Sequence, residues 1–319
     1  MPMIVDLSST RWNRSVTPPW GVTSGISNVV RQLELSHFEL LPDLHLGPTL
    51  VVASDYSGQH KNGTHEAFSF LLADLKFCWL WDEKRRHVRK TLLSDERRMS
   101  YKGLHDGRRR RALLPFLRAA DWIPGVLATV LVDKRFTRSL TLTPEDRLAL
   151  PATFGKWPTQ VIQKLLLVSH LGSLFIAGLS APAQNIIWFT DNDDFVANDQ
   201  RVIDLTPFFA GMVGNYSEQQ MGHFRFGTTS CDNGDFMIED LASLPDLAAG
   251  ALCEIPMQGI LPRYSRIQVS ARDHLPRKAV SILAWLGEPR QALRRLCFVV
   301  DEGDNPGRMR VRALELWPD

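Results

Sequence analysis

Acid closes three of the chain's apolar runs. Thr49-Leu-Val-Val-Ala-Ser runs into Asp55 and then Tyr56-Ser-Gly58, Gly125-Val-Leu-Ala-Thr-Val-Leu-Val132 into Asp133-Lys134, and Asn185-Ile-Ile-Trp-Phe-Thr190 into Asp191-Asn-Asp193-Asp194. A Val/Leu/Ile run bounded by Ser, Gly or Asn reads as a strand covered on both faces, and its last side chain is the one that reaches solvent or a ligand. A fourth acid, Asp246 in Ser243-Leu-Pro-Asp-Leu-Ala-Ala-Gly-Ala-Leu252, falls in the first turn of a small-residue segment that reads as helix. Carboxylates converging from separate elements suit Mg²⁺ or Mn²⁺, hard cations that prefer oxygen and keep several waters. Two such ions activate a water and stabilise the leaving oxygen of a phosphodiester. Without metal the acids repel one another, and one or more holds a proton. The expected metal set is Asp55, Asp133, Asp191 and Asp246, with Asp193 or Asp194 replacing Asp191 under a shift of register. Lys102 and Lys134 either contact phosphate or neutralise the cluster. Taken alone, Asp55 reads as an ordinary turn cap, and the recurrence of the pattern points to a site.

Charge is distributed unevenly along the 319 residues. The formal net charge is only +2, yet Lys84 to Arg89, Arg97-Arg98 and Arg108-Arg109-Arg110-Arg111 make residues 84–118 strongly basic, while acids gather between 191 and 246. Basic surface beside an acidic cluster suits a polyanion handled with divalent metal, so Lys102, Arg108, Arg109, Arg110, Arg111 and Lys134 are the expected nucleic-acid contacts. The competing reading is a solvated helix face. Cys78, Cys231, Cys253 and Cys297 form no C-x-x-C pair, which points away from zinc and disulfides and towards a reducing cytosol. The N-terminus lacks a basic start followed by an apolar stretch, so no signal peptide is expected. Leu165 to Ala181 is apolar but broken by Ser169-His170, Gly172 and Gly178, and reads as a buried helix, not a membrane span.

The elements that must position the acids follow from periodicity. Ser24 to Leu35 carries Ile26, Val29, Val30 and Leu33 at helical spacing. After the strand ending at Asp55, Glu66 to Leu75 and Lys76 to Trp81 read as two more strands of an antiparallel meander. Leu104 to Ala120 is an amphipathic helix with a cationic outer face. Then come the strand to Asp133, a short turn or helix at Pro144 to Leu150, a long buried helix at Pro158 to Leu179 and the strand to Asp191. A helix at Val202 to Met212, an edge strand at Gly222 to Thr229 and the helix bearing Asp246 complete the series. Beyond residue 256, Arg277 to Leu286 and Pro289 to Arg295 read as short helices. Leu296 to Val300 and Met309 to Leu316 read as a hairpin about the acidic turn 301–307, which lacks the spacing of a calcium loop.

Three strands, a helix, a strand with an acid, a helix, a strand with an acid and a late helix with an acid: this order resembles the RNase H-like superfamily. There one acid stands on the first, central strand, another at the end of the fourth, and the C-terminal helix supplies the last. The matching positions are Asp55, Asp133 and Asp246. Asp55-Tyr-Ser-Gly58, Tyr101-Lys102-Gly-Leu104, Val132-Asp133-Lys134, Phe189-Thr-Asp191 and Asp246-Leu-Ala-Ala-Gly-Ala251 are similar, further, to a widespread bacterial family. Its hallmarks are Asp-Glu-Ser-Gly near the start and Ala-Asp-Leu-x-Ala-Gly near the end, and it is often encoded near mobile elements and phage-defence genes. Here Tyr56 replaces the usual Glu and Pro245 the usual Ala. The resemblance implies an α/β fold with an RNase H-like mixed sheet flanked by helices over residues 49–255, an N-terminal extension at 1–48 and a C-terminal one at 256–319. It implies a cytoplasmic nuclease that uses Mg²⁺ or Mn²⁺ by a two-metal mechanism on DNA or RNA, with a partner protein of a defence operon and no membrane. Lys102 joins Asp55, Asp133, Asp191 and Asp246 in the implied catalytic set. The alternative is a catalytically silent subunit that binds nucleic acid or a partner protein.

Overall fold

A computed structural model of the chain describes residues 10–13, 16, 18, 20–37, 39–58, 63–138, 154, 157–191, 194–217, 219–261, 266–269, 274–288, 292–303 and 307–318. After helix α1 (Gly21–Ser36) comes a meander of β1 (Thr49–Ser57), β2 (His65–Asp74) and β3 (Gly125–Asp133), with α2 (Trp79–Leu92) and α3 (Gly107–Ala120) inserted between β2 and β3. Then follow the short α4 (Lys134–Arg138), α5 (Thr159–Leu179), β4 (Asn185–Thr190), α6 (Asp199–Gly214), β5 (Phe224–Thr228) and α7 (Met237–Met257). The chain closes with β6 (Arg266–Val269), α8 (Arg277–Gly287), β7 (Leu293–Glu302), β8 (Met309–Ala313) and β9 (Glu315–Pro318). Among the described residues the main sheet has seven strands in the order β5-β4-β1-β2-β3-β7-β8, and β6 pairs separately with β9.

The meander is antiparallel, whereas β1–β4, β4–β5 and β3–β7 run parallel. Strands of Val, Leu, Ala and Phe with few polar residues must be covered on both sides. Val51, Ala53, Leu71 and Leu127 face a core built with α2, α3, α7 and α8, and Leu50, Val52, Phe70 and Val126 face a second core built with α1, α5 and α6. The result is a helix–sheet–helix sandwich with β1 and β2 at its centre.

Two expected elements differ. Lys76 to Trp81 is not a strand: the Asp74 carboxylate accepts the N–H groups of Gly47 (2.7 Å) and Lys76 (3.1 Å), which turns the chain into a 3₁₀ segment and then α2. Cys78 is buried there as the residue capping α2, and Trp81 within its first turn. Leu293 to Arg295 opens β7 and does not end a helix, because the edge of β3 offers a parallel partner from Gly125↔Leu293 onward; residues 289–291 lie outside the described set, as does Pro144 to Leu150. Residues beyond 256, expected as an extension, thus contribute β7 and β8 to the central sheet. The strand ending at Asp133 is the third of the chain and not the fourth.

Helix α5 is long and apolar enough to cross a bilayer, but most of its apolar stretch is buried within the protein. Gly172 and Gly178 let it approach indole rings closely: a Cβ on either would come within 2.2 Å of Trp188 or 2.4 Å of Trp12.

Candidate active site

β1 and β4 are neighbouring parallel strands in which Ser54 pairs with Thr190, so Asp55, within β1, and Asp191, one residue past β4, project from the same face. Strand spacing places their backbones roughly 5 Å apart. Above them crosses α7, whose Glu239, Ser243, Asp246, Gly250, Glu254 and Met257 recur every three or four residues and so share one stripe. The start of α7 is fixed by Asp232, whose carboxylate accepts the N–H groups of Gly234, Phe236, Ile238 and Glu239. Gly58, at φ +95°, closes β1 in a left-handed conformation next to Cys253 of α7. Between the strand ends and the stripe lies a cleft of about 780 Å³, lined by Asp55, Asp191 and Asp246 with Lys102, Arg109 and Lys278.

The link between α2 and α3 runs along this cleft and donates to its acids. Tyr101 N–H reaches Asp246 Oδ2 at 2.6 Å, and Tyr101 O–H reaches Glu254 at 2.8 Å. The Tyr101 ring lies against Gly250, where a Cβ would stand 2.3 Å from its Cγ. Lys278, from α8, donates to the Tyr101 carbonyl at 3.0 Å and lies over the Tyr101 ring. Arg98 pairs with Asp191 at 3.2 Å and with Glu239. Thr229 O–H also donates to Asp191 (3.2 Å), and Asp55 accepts the Tyr56 N–H at 2.6 Å.

Electrostatics follow from this crowding. Burial lifts the Asp246 carboxyl above the usual range and the charge of Asp191 adds to it, outweighing the Tyr101 N–H bond and the positive charges of Arg98 and Lys102. Burial likewise raises Glu239, with Asp191 and Asp232 adding to it against Arg98. Burial and the bond to Glu254 push the Tyr101 phenol up, so it stays protonated.

Asp133 does not join this group. β3 lies two strands from β1, and Asp133 is four residues past Thr129, the residue level with Asp55 through Ser69. On the sheet that is roughly 16 Å from Asp55. Arg135 clamps its carboxylate through Nη2 (2.7 Å) and Nε (3.1 Å) and also reaches Glu302. Although burial acts the other way, these bonds hold Asp133 below the usual carboxylate range. Lys134 is buried beside it, its N–H on the Thr64 carbonyl. Asp193 lies outside the described residues, and Asp194 opens a 3₁₀ turn.

Of the four consecutive arginines, Arg109 lines the cleft and its Nε donates to the Arg98 carbonyl at 2.7 Å. Arg108 pairs with Asp95, while Arg110 and Arg111 are exposed away from the cleft. Much of the basic segment is neutralised internally: Arg85 and Arg89 grip buried Asp240, Arg86 pairs with Asp82 and Asp235, and Arg97 with Asp95 and Asp106.

Comparison with family profiles, with curated proteins and with solved structures found no match to this chain.

Among the described residues no three His, Cys, Asp or Glu side chains are grouped tightly enough to hold an ion as they stand. The donors fit a hard divalent ion in kind, being oxygen only, and they are carried by three rigid elements around one cleft. The positive charge among them is supplied by Arg98 and Lys102. Arg98, Glu239 and Lys278 were missed by the sequence reading. Arg98 was read only as part of the basic segment 84–118, Lys278 stood in an unremarkable stretch, and for Glu239 the only available signal was its place seven residues, two helical turns, before Asp246.

Proposed function

We propose that the cleft is the active site of a metal-dependent nuclease with an RNase H-like fold, acting through Asp55, Asp191 and Asp246. The observation that carries this is the convergence of three carboxylates, from the central strand, its parallel neighbour and a late helix, ringed by Lys102, Arg109 and Lys278. The element order supports the same reading: β1 is central, Asp191 directly follows the fourth strand, and the helix after β5 bears Asp246. Asp191 thereby takes the fourth-strand place first given to Asp133. Four of the five short motifs that carry the resemblance to the bacterial family, Asp55 to Gly58, Tyr101-Lys102, Asp191 and Asp246 to Gly250, meet at this one cleft, and Val132-Asp133-Lys134 lies apart from it. Tyr56 removes nothing from it. Its ring packs on the opposite face of the sheet near Phe68, Phe70 and Phe195, and a glutamate there would face the same way.

Bound Mg²⁺ or Mn²⁺ supplies an activated water and stabilises charge on the leaving oxygen. Asp55, Asp191 and Asp246 would hold it. Lys102 and Lys278 are placed to meet substrate phosphates as point charges, and Arg109 with a fork of donors. Tyr101 positions Asp246 through its backbone N–H and keeps α7 at a fixed height through its contact with Gly250.

The silent-subunit reading has one observation in its favour: Arg98 pairs with Asp191 and Glu239 among the acids. A cleavage assay with Mn²⁺ on single-stranded, duplex and hybrid substrates, run beside Asp55→Asn, separates the two readings. Cleavage by the native chain that the variant lacks supports the nuclease. Binding without cleavage in both supports the subunit.

A further inference from the structure

We infer that Glu239 is a further metal-binding acid beside the cleft, and that the Arg98 guanidinium holds the place between Glu239 and Asp191 that a divalent cation takes. This rests on the metal-dependent reading above. Arg98 bridges carboxylates from two separate elements, Asp191 at the end of β4 and Glu239 in the first turn of α7. Glu239 lies on the same face of α7 as Asp246, two turns away. A half-buried glutamate facing a second carboxylate needs a cation beside it. Either Arg98 or a metal ion meets that need, and the two compete for the same oxygens.

The segment carrying Arg98 is built to do this. Its carbonyl is held by Arg109 Nε at 2.7 Å, and three residues on, Tyr101 N–H occupies Asp246 Oδ2. One short stretch, residues 98–101, therefore donates to Asp191, Glu239 and Asp246. The Arg98 side chain is 41% exposed, so it can turn out into solvent while its backbone stays anchored. Arg97 holds the base of the stretch through Asp95 and Asp106.

The test is Mn²⁺ binding to the full chain, read by electron paramagnetic resonance and calorimetry, with folding checked by circular dichroism. Arg98→Gln is expected to bind Mn²⁺ at least tenfold more tightly than the native chain. Adding Glu239→Gln to it should reverse most of the gain. Arg98→Lys keeps the charge but cannot fork across two carboxylates, and gains affinity in the same direction; it serves if Arg98→Gln does not fold. If the native chain binds Mn²⁺, Asp191→Asn abolishes binding and both Arg98 variants leave it unchanged or weaker, this inference is overturned and the metal-dependent reading stands. An unchanged affinity on adding Glu239→Gln removes Glu239 from the site. If neither the native chain nor any Arg98 variant binds Mn²⁺, both fall.

Discussion

Replacing His170 by Gln should flatten the pH dependence of stability below neutrality. His170 stands on α5 with its Nδ1 2.7 Å from the Tyr216 hydroxyl and the Trp20 ring 5.5 Å away. Burial lowers its pKa from 6.5 to about 4. Between those values the unfolded chain binds a proton that the folded chain refuses, so stability is complete above 6.5 and is lost as pH falls towards 4. The difference of about 2.5 units at ~1.36 kcal/mol each comes to about 3.4 kcal/mol in full. By pH 5, where the folded imidazole is still mostly neutral, about 2 kcal/mol of it is gone. Urea unfolding of the native chain and His170→Gln at pH 7.5 and pH 5 isolates this contribution, because the carboxylates common to both cancel in the difference. The native chain should lose about 2 kcal/mol more than the variant. Parallel losses would refute the argument, since they would mean that the imidazole charges freely in the folded state.

Other outcomes follow from single contacts. Asp240→Asn leaves buried Arg89 without its carboxylate, while Arg85 keeps Asp82 and Asp235, and should cost about 3–5 kcal/mol in urea unfolding; a loss under about 1 kcal/mol would mean that another acid takes Arg89 over. Gly250→Ala drives a methyl into the Tyr101 ring. Overpacking of about 1–3 kcal/mol exceeds a helix gain of about 1, so the melting temperature should fall and Asp246 lose its Tyr101 bond. Lys102→Ala should weaken nucleic-acid binding equally across sequences and reduce the salt slope by about 0.9 for duplex DNA. The double variant Arg110→Ala/Arg111→Ala, outside the cleft, should leave that slope unchanged.

Which parts of this were legible in the sequence follows from range. β1, β3, β4 and α5 are long apolar runs whose type and place are local properties, and they fall where periodicity puts them. Lys76 to Trp81 misled because only Cys78 and Trp81 of its apolar residues are buried, on the α7 and α8 side of the sheet, while Phe77 and Trp79 are exposed and the capping of Asp74 onto Gly47 spans 27 residues. The start of β7 was hidden for the same reason: it is a strand because β3 lies beside it, not because Leu293-Arg-Arg-Leu alternates. At the site, the rule that acids end strands held for Asp133, the last residue of β3, and for Asp191, one residue past β4, whereas β1 runs two residues beyond Asp55 to Ser57. It could not tell which share a cleft, since that depends on a sheet order placing β4 beside β1 and β3 two strands away. The arginine run read as a substrate surface, yet much of the basic segment meets acids brought close only by the fold, such as Arg85 and Arg89 at Asp240 some 150 positions later.

The most direct test of the central claim is Mn²⁺-dependent phosphodiester cleavage by Asp191→Asn and Asp133→Asn measured side by side with the native chain, each variant first shown to be folded. Asp191 lines the cleft with Asp55 and Asp246, while Asp133 is clamped by Arg135 elsewhere on the sheet. The account predicts that Asp191→Asn lowers the rate by at least a hundredfold and that Asp133→Asn stays within a few-fold of native. Full activity in Asp191→Asn, or loss in Asp133→Asn alone, would contradict it.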